Sequence, residues 1–204
     1  YGLTEMVTVR AVNTPSNKRP DTVGHPLPGI GVKILDVANQ SEVPMGVCGE
    51  IAVSGETMMI GYLHDPAATA QTIIPLKDGR YLRTGDYGYL DGDGHIHFKQ
   101  RLKRIVKVSG MPVMPSEIET LVTGMPAILE AAAIGVPDPE RGNMIKLFIT
   151  IKPDHKPGPD EETIRKLIRE HLSVYSVPKL IVKLEKMPRT VVGKIDTNAL
   201  GKIV

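Results

Sequence analysis

Two residues beside glycines have side chains that could carry chemistry: Asp86 in a Thr-Gly-Asp stretch and Lys194 in a Gly-Lys-Ile stretch. An ionised carboxylate accepts several hydrogen bonds, so Asp86 could bind the two hydroxyls of a ribose. A lysine on a loop rich in turn formers could reach a phosphate or a carboxylate as a point charge. Taken alone, Asp86 could equally be a turn residue, and Lys194 is more commonly an exposed, solvated lysine.

Other motifs favour neither a metal site nor a phosphate-binding loop. The acidic turn at residues 91–94 begins like a calcium loop, but His95 and Leu102 stand where an EF-hand needs its fifth and twelfth ligands. His95 and His97 could face one side of a strand, yet two histidines without a third ligand nearby are a weak indication of a metal site. The stretch around Lys194 lacks the upstream glycine and the following serine or threonine of a phosphate-binding loop.

Composition and charge exclude several broad classes of protein. The chain has 204 residues, of which 41% are hydrophobic and 24% charged, as in ordinary globular proteins. A net charge of +2 is too small for a duplex nucleic-acid binder, and no apolar run approaches the ~18 residues of a membrane span. Cys48 is the only cysteine, so no internal disulfide can form and a cytoplasmic location is expected.

The charges are distributed unevenly along the chain. Residues 1–98 carry a net charge of −4 and residues 99–204 a net charge of +6. Solubility alone could account for this; the alternative is that a basic second half meets a small polyanion, such as a nucleotide, near the junction. The sequence begins at Tyr1, without a methionine and inside a motif, so we expect it to be a piece of a longer protein.

The elements that must position these residues are mostly strands in the first half. Strands are predicted at residues 32–37, 46–55, 81–90 and 95–98. The last two form a hairpin across the turn at residues 91–94, because Asp-Gly pairs favour tight turns. Between the strands, residues 65–73 favour a short helix with Asp65 as N-cap and Pro66 in the first turn.

The second half alternates strands with helices and predicts a small α+β domain. Strands are predicted at residues 104–110, 130–138, 144–152 and 179–188, and helices at residues 115–126, 160–172 and 196–204. Ser116 and Glu119 have the spacing of a capping box, and Gly124 is expected to end that helix. The next helix is amphipathic, with apolar residues at helical spacing at Ile164, Leu167, Ile168 and Leu172.

Five blocks in fixed order are more specific than any one motif. They are Tyr-Gly-Leu-Thr-Glu at residues 1–5, then residues 61–69, residues 81–86, residues 101–119 and residues 188–196. Together they resemble the adenylate-forming superfamily of acyl-CoA synthetases, peptide-synthetase adenylation domains and beetle luciferases. The resemblance implies an α+β fold, in which residues 1–101 are the β-rich end of an N-terminal AMP-binding domain. Residues 102–204 would form a mobile C-terminal domain.

The resemblance also implies a role for each matching residue. These roles are adenine stacking for Tyr1, with Gly2 beside the nucleotide; phosphate contact for Thr4; Mg²⁺ ligation for Glu5; ribose binding for Asp86 and Arg101; the interdomain hinge for Lys103; passage of the pantetheine arm of CoA at Gly110; and a bridge between the acid and the α-phosphate for Lys194. Gln100, Pro112 and Thr197 depart from the family pattern, and no catalytic role is assigned at Pro112.

The implied reaction uses ATP, Mg²⁺ and coenzyme A. A carboxylic acid, with a fatty acid favoured, reacts with ATP to form an acyl-adenylate, and a thiol then displaces AMP. Pro115 in its block resembles the CoA-ligase version more than that of peptide-synthetase domains, so a CoA ligase is favoured. The alternatives are an adenylation enzyme that loads a carrier protein and a non-catalytic nucleotide-binding fragment. In this family the phosphate loop and most of the acid pocket precede the position of Tyr1, so the chain alone is expected to be inactive.

Overall fold

The computed structural model describes residues 1–7 and 9–203 of the chain. It divides into two compact units, Tyr1–Lys103 and Arg104–Val204. Both are mixed and rich in strands, so the predicted α+β class is confirmed. Among the described residues, no helix is long and apolar enough to cross a membrane.

The first unit consists mainly of strands. Its elements are β1 (Ala11–Val12), β2 (His25–Pro26), β3 (Gly31–Leu35), β4 (Gly49–Ser54), α1 (Pro66–Thr72), β5 (Ile73–Leu76), β6 (Gly79–Leu90) and β7 (Ile96–Arg101). β1 pairs with β2, and the other five strands form an antiparallel sheet in the order β3-β4-β6-β5, with β7 pairing the second half of β6. Ile34, Ile51 and Leu82 lie in its buried core, so one face of this sheet is held by apolar packing.

The long hairpin of the first unit carries the candidate ribose-binding residues. β6 and β7 are antiparallel, and Leu90 lies opposite Ile96 across the acidic turn, so the predicted hairpin is confirmed. Its register places Asp86 directly opposite Arg101. Residues in such positions on neighbouring antiparallel strands have their Cβ atoms ~4.5–5.5 Å apart, so the two side chains can pair.

The second unit packs helices on both faces of a small sheet. Its elements are β8 (Val106–Val108), β9 (Met111–Val113), α2 (Pro115–Thr123), β10 (Ile128–Asp138), β11 (Gly142–Ile151), α3 (Glu161–His171), β12 (Leu180–Leu184) and α4 (Thr197–Leu200). The sheet has the order β10-β11-β12, with β11 antiparallel to β10 and parallel to β12. Side chains alternate along a strand, so Leu147 packs with α2 and α3, while Phe148 packs with Met187 and Leu200 on the other face.

The predicted starts of α1, α2 and α3 are confirmed, whereas the predicted capping box in α2 is wrong. Asp65 caps α1 by accepting a hydrogen bond from the Ala68 amide at 2.8 Å, and α3 has the matching cap at Asp160. The predicted capping box of Ser116 and Glu119 does not form, because α2 already begins at Pro115.

The side chain of Glu119 has a different function from the predicted one. Its Oε1 accepts hydrogen bonds from the Ala133 amide at 2.9 Å and from Arg104 at 2.5 Å. A tertiary partner therefore replaces the local one. The terminal helix α4 is shorter than predicted, and the end of that prediction, Val204, lies outside the described residues.

Candidate functional site

Asp86 is the centre of a cluster that joins three predicted site residues. Its Oδ2 accepts a hydrogen bond from the Tyr1 hydroxyl at 2.5 Å, and the Arg101 Nε lies 2.8 Å from its Oδ1. The hairpin register supplies Arg101, and the Tyr1 carbonyl is held by the Arg10 amide at 2.6 Å. Tyr1, Asp86 and Arg101, which are far apart in sequence, are thus brought together in the first unit.

The carboxylate of Asp86 is buried but incompletely satisfied. Its side chain is only 4% exposed, whereas that of Arg101 is 62% exposed. Arg101 is close enough for an ion pair, yet no donor among the described residues is aimed at Oδ1 in hydrogen-bond geometry. Oδ1 therefore keeps capacity to accept hydrogen bonds from a ligand.

Burial dominates the electrostatics of this cluster. Burial raises the pKa of Asp86, and the charge of Glu50 raises it further, while the Tyr1 hydrogen bond and the Arg101 charge act in the opposite direction. Burial, followed by the hydrogen bond to Asp86, also raises the pKa of Tyr1. Tyr1 therefore remains a protonated donor to the carboxylate across the physiological range.

Glu50 is a buried residue beside Asp86 that the sequence analysis did not single out. It lies on β4 at 3% exposure. Its Oε1 accepts a hydrogen bond from the Gly85 amide at 3.0 Å, and its Oε2 accepts one from the Arg83 Nε at 2.8 Å. A charged residue in the otherwise apolar stretch Ile-Ala-Val of β4 was the available signal, because buried carboxylates need partners.

Thr4 and Glu5 lie on a short loop of the first unit. They belong to a 3₁₀ turn, Thr4–Met6, inside a loop that an isolated bridge between Gly2 and Val9 closes. Thr4 is exposed. Glu5 Oε1 accepts a hydrogen bond from the Tyr62 hydroxyl at 3.0 Å, which ties the first sequence block to the second.

The predicted Mg²⁺ ligand fits the way this ion is usually bound. Among the described residues, no group of three or more His, Cys, Asp or Glu could hold a metal. Mg²⁺ is commonly held by one or two carboxylates together with substrate phosphates and water. A single carboxylate such as Glu5 is therefore sufficient as the protein ligand of Mg²⁺. His97, which the sequence offered as a weak candidate for a metal ligand, pairs with Asp91 at 3.0 Å.

Gly110 and Lys103, two of the predicted site residues, lie on exposed turns. Ser109 and Gly110 both have positive φ, 50° and 80°, and form the two-residue turn between β8 and β9. A Cβ at Gly110 would meet no atom within 4 Å, so the backbone conformation and not space favours glycine there. Lys103, at the end of the first unit, is also exposed, in the 3₁₀ turn Leu102–Arg104.

Lys194 follows a tight turn whose tip is apolar. The Thr190 amide donates to the Lys194 carbonyl at 2.8 Å, and the Gly193 amide donates to the Thr190 carbonyl at 2.9 Å. Val191 and Val192 at the tip are exposed. Within residues 1–7 and 9–203, the Lys194 side chain has no hydrogen-bond or ion-pair partner, so its ammonium group is available to a ligand.

Segments of both units are similar to known protein families. The family profile described as AMP-binding enzyme matches residues 1–63, and that of the AMP-binding enzyme C-terminal domain matches residues 117–194. The mitochondrial acyl-coenzyme A synthetase ACSM3 of Mus musculus is 35% identical over 99% of this chain, and the long-chain-fatty-acid–CoA ligase of an Escherichia coli strain is 37% identical over 96%. The chain spans 35% and 34% of the lengths of these two relatives.

A solved structure is also similar to this chain. The crystal structure of ATP-bound MatB from Rhodopseudomonas palustris superposes with a TM-score of 0.89 at 30% identity. The match covers 99% of this chain and 39% of MatB. Sequence and structure comparisons therefore agree over the whole described chain.

Proposed function

Because the chain belongs to the adenylate-forming superfamily of AMP-binding enzymes, we propose that it serves ATP-dependent activation of a carboxylic acid and transfer of the acyl group to coenzyme A. In this proposal, the first unit binds the ribose and base of the nucleotide. The observation that carries it is the buried Asp86 carboxylate, set between Tyr1 and Arg101 with acceptor capacity left on Oδ1.

The number of acceptor positions on Asp86 supports a ribose as its ligand. An ionised carboxylate offers about four lone-pair sites. The Tyr1 hydroxyl accounts for one of them, on Oδ2, and Arg101 lies 2.8 Å from Oδ1 without hydrogen-bond geometry. The two acceptor positions on Oδ1 match the two adjacent hydroxyls of a ribose, so a nucleoside could bind without displacing Tyr1.

The loop of residues 1–5 is proposed to bind the rest of the nucleotide. The Tyr1 ring would stack on adenine beside Gly2 while its hydroxyl stays on Asp86, and Thr4 would contact phosphate. Glu5 would hold Mg²⁺, which neutralises charge on the phosphates when it is bound. The hydrogen bond from Tyr62 orients the Glu5 carboxylate for this role.

The second unit is proposed to contribute a mobile cation and a thiol path. Attack of a carboxylate on a phosphate brings two anions together, and the Lys194 ammonium would offset that repulsion. A preorganised group of this kind typically contributes ~3–4 kcal/mol of barrier lowering. Lys103 is proposed as the hinge between the two half-reactions, and Gly110 as the place where the pantetheine arm passes.

The acid itself is proposed to be a fatty acid, within the broader class of carboxylic acids. This choice rests on the names of relatives, such as the long-chain-fatty-acid–CoA ligase. A panel of acids of increasing chain length tests it, with short dicarboxylic and aromatic acids as controls. If a control acid is preferred, the proposal of a fatty acid is wrong, but the proposed reaction class, ATP-dependent formation of an acyl-CoA, still stands.

The reaction class is tested on the protein at its natural length. We expect acid-dependent exchange between ATP and pyrophosphate, and formation of AMP and an acyl-CoA when CoA is added. Release of ADP, or exchange that does not depend on the acid, would overturn the proposal. The 204-residue chain by itself is expected to bind AMP without catalysing exchange, and exchange by that chain would contradict the predicted inactivity.

A further inference from the structure

We propose that Glu50 is a positioning residue that aims Asp86 at the ribose, with Arg83 as its counter-ion. The inference rests on the proposed nucleotide site and adds to it a residue that holds the shape of the site. Glu50 lies on the neighbouring strand and is not one of the predicted ligand-binding residues. Its role follows from the way β4 and β6 pair around Asp86.

The pairing of β4 with β6 is interrupted at the candidate site. β4 pairs Ala52 with Arg83 and Glu50 with Tyr87, so Ile51 alone stands opposite the three residues at 84–86. These three residues are looped out of the ladder with β4. Bulges of this kind re-aim side chains and occur next to active sites.

Backbone groups in the looped-out segment still need hydrogen-bond partners. The Gly85 amide donates to Glu50 Oε1 at 3.0 Å, so a side chain takes the place of a strand carbonyl. The Asp86 amide donates to Thr84 Oγ1 at 3.1 Å, and that hydroxyl donates to the Ile51 carbonyl at 2.7 Å. Glu50 and Thr84 therefore tie the segment that carries Asp86 to β4.

Gly85 has the backbone conformation that this bulge requires. Its φ of +69° lies in the left-handed region. A Cβ there would meet nothing within 4 Å, so the glycine serves the turn and not a close approach. Glycine has access to many backbone conformations, and the hydrogen bond from the Gly85 amide to Glu50 restricts the position of the next residue, Asp86.

The counter-ion of Glu50, Arg83, holds the Glu50 carboxylate in place. Arg83 donates to Glu50 Oε2 from Nε at 2.8 Å, and its Nη2 lies 2.7 Å from the same oxygen. Both contacts go to the same oxygen, so the planar guanidinium holds Oε2 and leaves Oε1 to the Gly85 amide. Arg83 also donates to the Gln71 carbonyl at 3.3 Å, which anchors the pair to the end of α1.

The test compares two ligands on the 204-residue chain. AMP offers both ribose hydroxyls to Asp86, and 2′,3′-dideoxy-AMP offers neither. Replacing Glu50 by Gln keeps the shape but puts an amide where Arg83 needs an acceptor. We expect Glu50→Gln to weaken AMP binding by about tenfold, as a loosened charged hydrogen bond would, while dideoxy-AMP binding stays within about twofold of wild type.

A purely structural role gives a different result. In that case Glu50→Gln weakens both ligands equally, and the preference of the protein for AMP over dideoxy-AMP stays at its wild-type value, which overturns the inference. Asp138→Asn is the matched control, because Asp138 is an equally buried carboxylate in the second unit with a basic partner. It is expected to leave the preference unchanged.

A second variant and a wild-type comparison make the test decisive. If Glu50→Gln does not fold, Arg83→Lys retains the charge but loses the planar pair of contacts, and a selective loss of AMP binding again supports the inference. An unchanged ligand preference in that variant overturns it. If the wild-type chain binds AMP and dideoxy-AMP equally, the proposed ribose site itself is wrong, and the inference is overturned with it.

Discussion

Two buried aspartates, one in each unit, have closely matched surroundings but opposite electrostatics. Asp86 and Asp138 have side chains that are 4% and 3% exposed. Each lies beside a half-exposed base, Arg101 at 2.8 Å and Lys179 at 2.7 Å. Nevertheless the pKa of Asp86 is raised from its ordinary value and the pKa of Asp138 is lowered.

The difference lies in the hydrogen bonds that each carboxylate accepts. The Lys179 hydrogen bond is the largest cause of the lowered pKa of Asp138, and the amides of Glu140 and Arg141 lower it further by donating to Oδ1. Asp86 has no backbone donor among the described residues, and for it burial is the largest cause. Asp138 is saturated, because its following loop donates to Oδ1 and Lys179 donates to Oδ2, whereas Asp86 accepts a hydrogen bond at Oδ2 only.

This comparison separates a structural carboxylate from a candidate binding one. A saturated carboxylate stabilises the fold and has no capacity left for a ligand. An unsaturated buried carboxylate costs stability, and such a cost is retained where a ligand supplies the missing donors. By this criterion Asp86 is the candidate binding carboxylate of the first unit, and the second unit has an exposed cation, Lys194, with no partner among the described residues.

The largest expected effect tests whether the second unit also takes part in the chemistry. Lys194→Ala, in the protein at its natural length, is expected to slow adenylation by ~10²–10³, the usual loss for one preorganised charge donor. Acyl-CoA formation from a supplied acyl-adenylate is expected to be affected much less. The two half-reactions are measured separately, by pyrophosphate exchange and by thioester release.

A lysine of similar exposure provides the control for that change. Lys202 is exposed, in the same unit and near the end of the chain, and Lys202→Ala is expected to leave both half-reactions unchanged. Because Lys194 is exposed, its removal is also expected to leave the melting temperature close to wild type. Equal losses in both half-reactions of the Lys194 variant would point to a folding role instead.

The next effect separates the two aspartates directly. Asp86→Asn removes one charged acceptor from the proposed ribose site, and a hydrogen bond to a charged group contributes ~1.5–3 kcal/mol. We therefore expect AMP affinity to fall by ~10–100-fold in titrations of the 204-residue chain. Asp138→Asn is expected to leave AMP affinity unchanged.

An equal loss of affinity in the two aspartate variants would remove the distinction between them. It would mean that both substitutions act by disturbing the fold. Circular dichroism of each variant at the temperature of the titration shows whether the chain is folded. A folded Asp86→Asn chain with wild-type AMP affinity would exclude Asp86 as the ribose acceptor.

Much of the fold could be predicted because its signals are local. The Asp-Gly turn at residues 91–94 marked the β6–β7 hairpin, and Asp65 marked the start of α1, since neighbouring residues decide both. The capping box at Ser116 and Glu119 was wrong for the opposite reason. Glu119 is held by Ala133 and Arg104, which lie outside the local window.

The candidate site could likewise be predicted only as far as its signals are local. Asp86, Arg101 and Tyr1 were predicted as site residues because ordered sequence blocks carry them. Their mutual contact and the burial of Asp86 could not be read from those blocks, because they depend on strand register and packing. Glu50 was missed because its relation to Asp86 comes from the interrupted pairing of two strands, which no local pattern indicates.

A smaller effect is expected in the pH dependence of stability. The lowered pKa of Asp138 means that its contribution is fully present above the ordinary value of 3.8 and is lost as pH falls through the folded-state pKa. The raised pKa of Asp86 has the opposite sign, because ionisation then costs stability as pH rises above 3.8. Asp138→Asn should therefore lose stability relative to wild type as pH rises, and Asp86→Asn should gain it.

Melting temperatures measured from acid to neutral pH check these signs. A difference in melting temperature between a variant and wild type that stays constant with pH reports lost contacts. Only a difference that changes with pH reports titration of the carboxylate. Opposite slopes for the two variants are expected. Parallel slopes would show that the two carboxylates titrate alike and that the comparison between them fails.

The smallest effect concerns the pH at which AMP binding is lost. Ribose binding needs the ionised carboxylate, so affinity should fall as pH drops through the pKa of Asp86, above the ordinary 3.8. Arg101 lowers that pKa and Glu50 raises it. Arg101→Gln should therefore move the midpoint to higher pH, and Glu50→Gln should move it to lower pH. Titrations of AMP against each folded variant measure both shifts, with Asp138→Asn as a control that moves neither. Shifts in the same direction would mean that the variants change the site by loosening it, and that neither charge acts on Asp86 in the way the structure indicates.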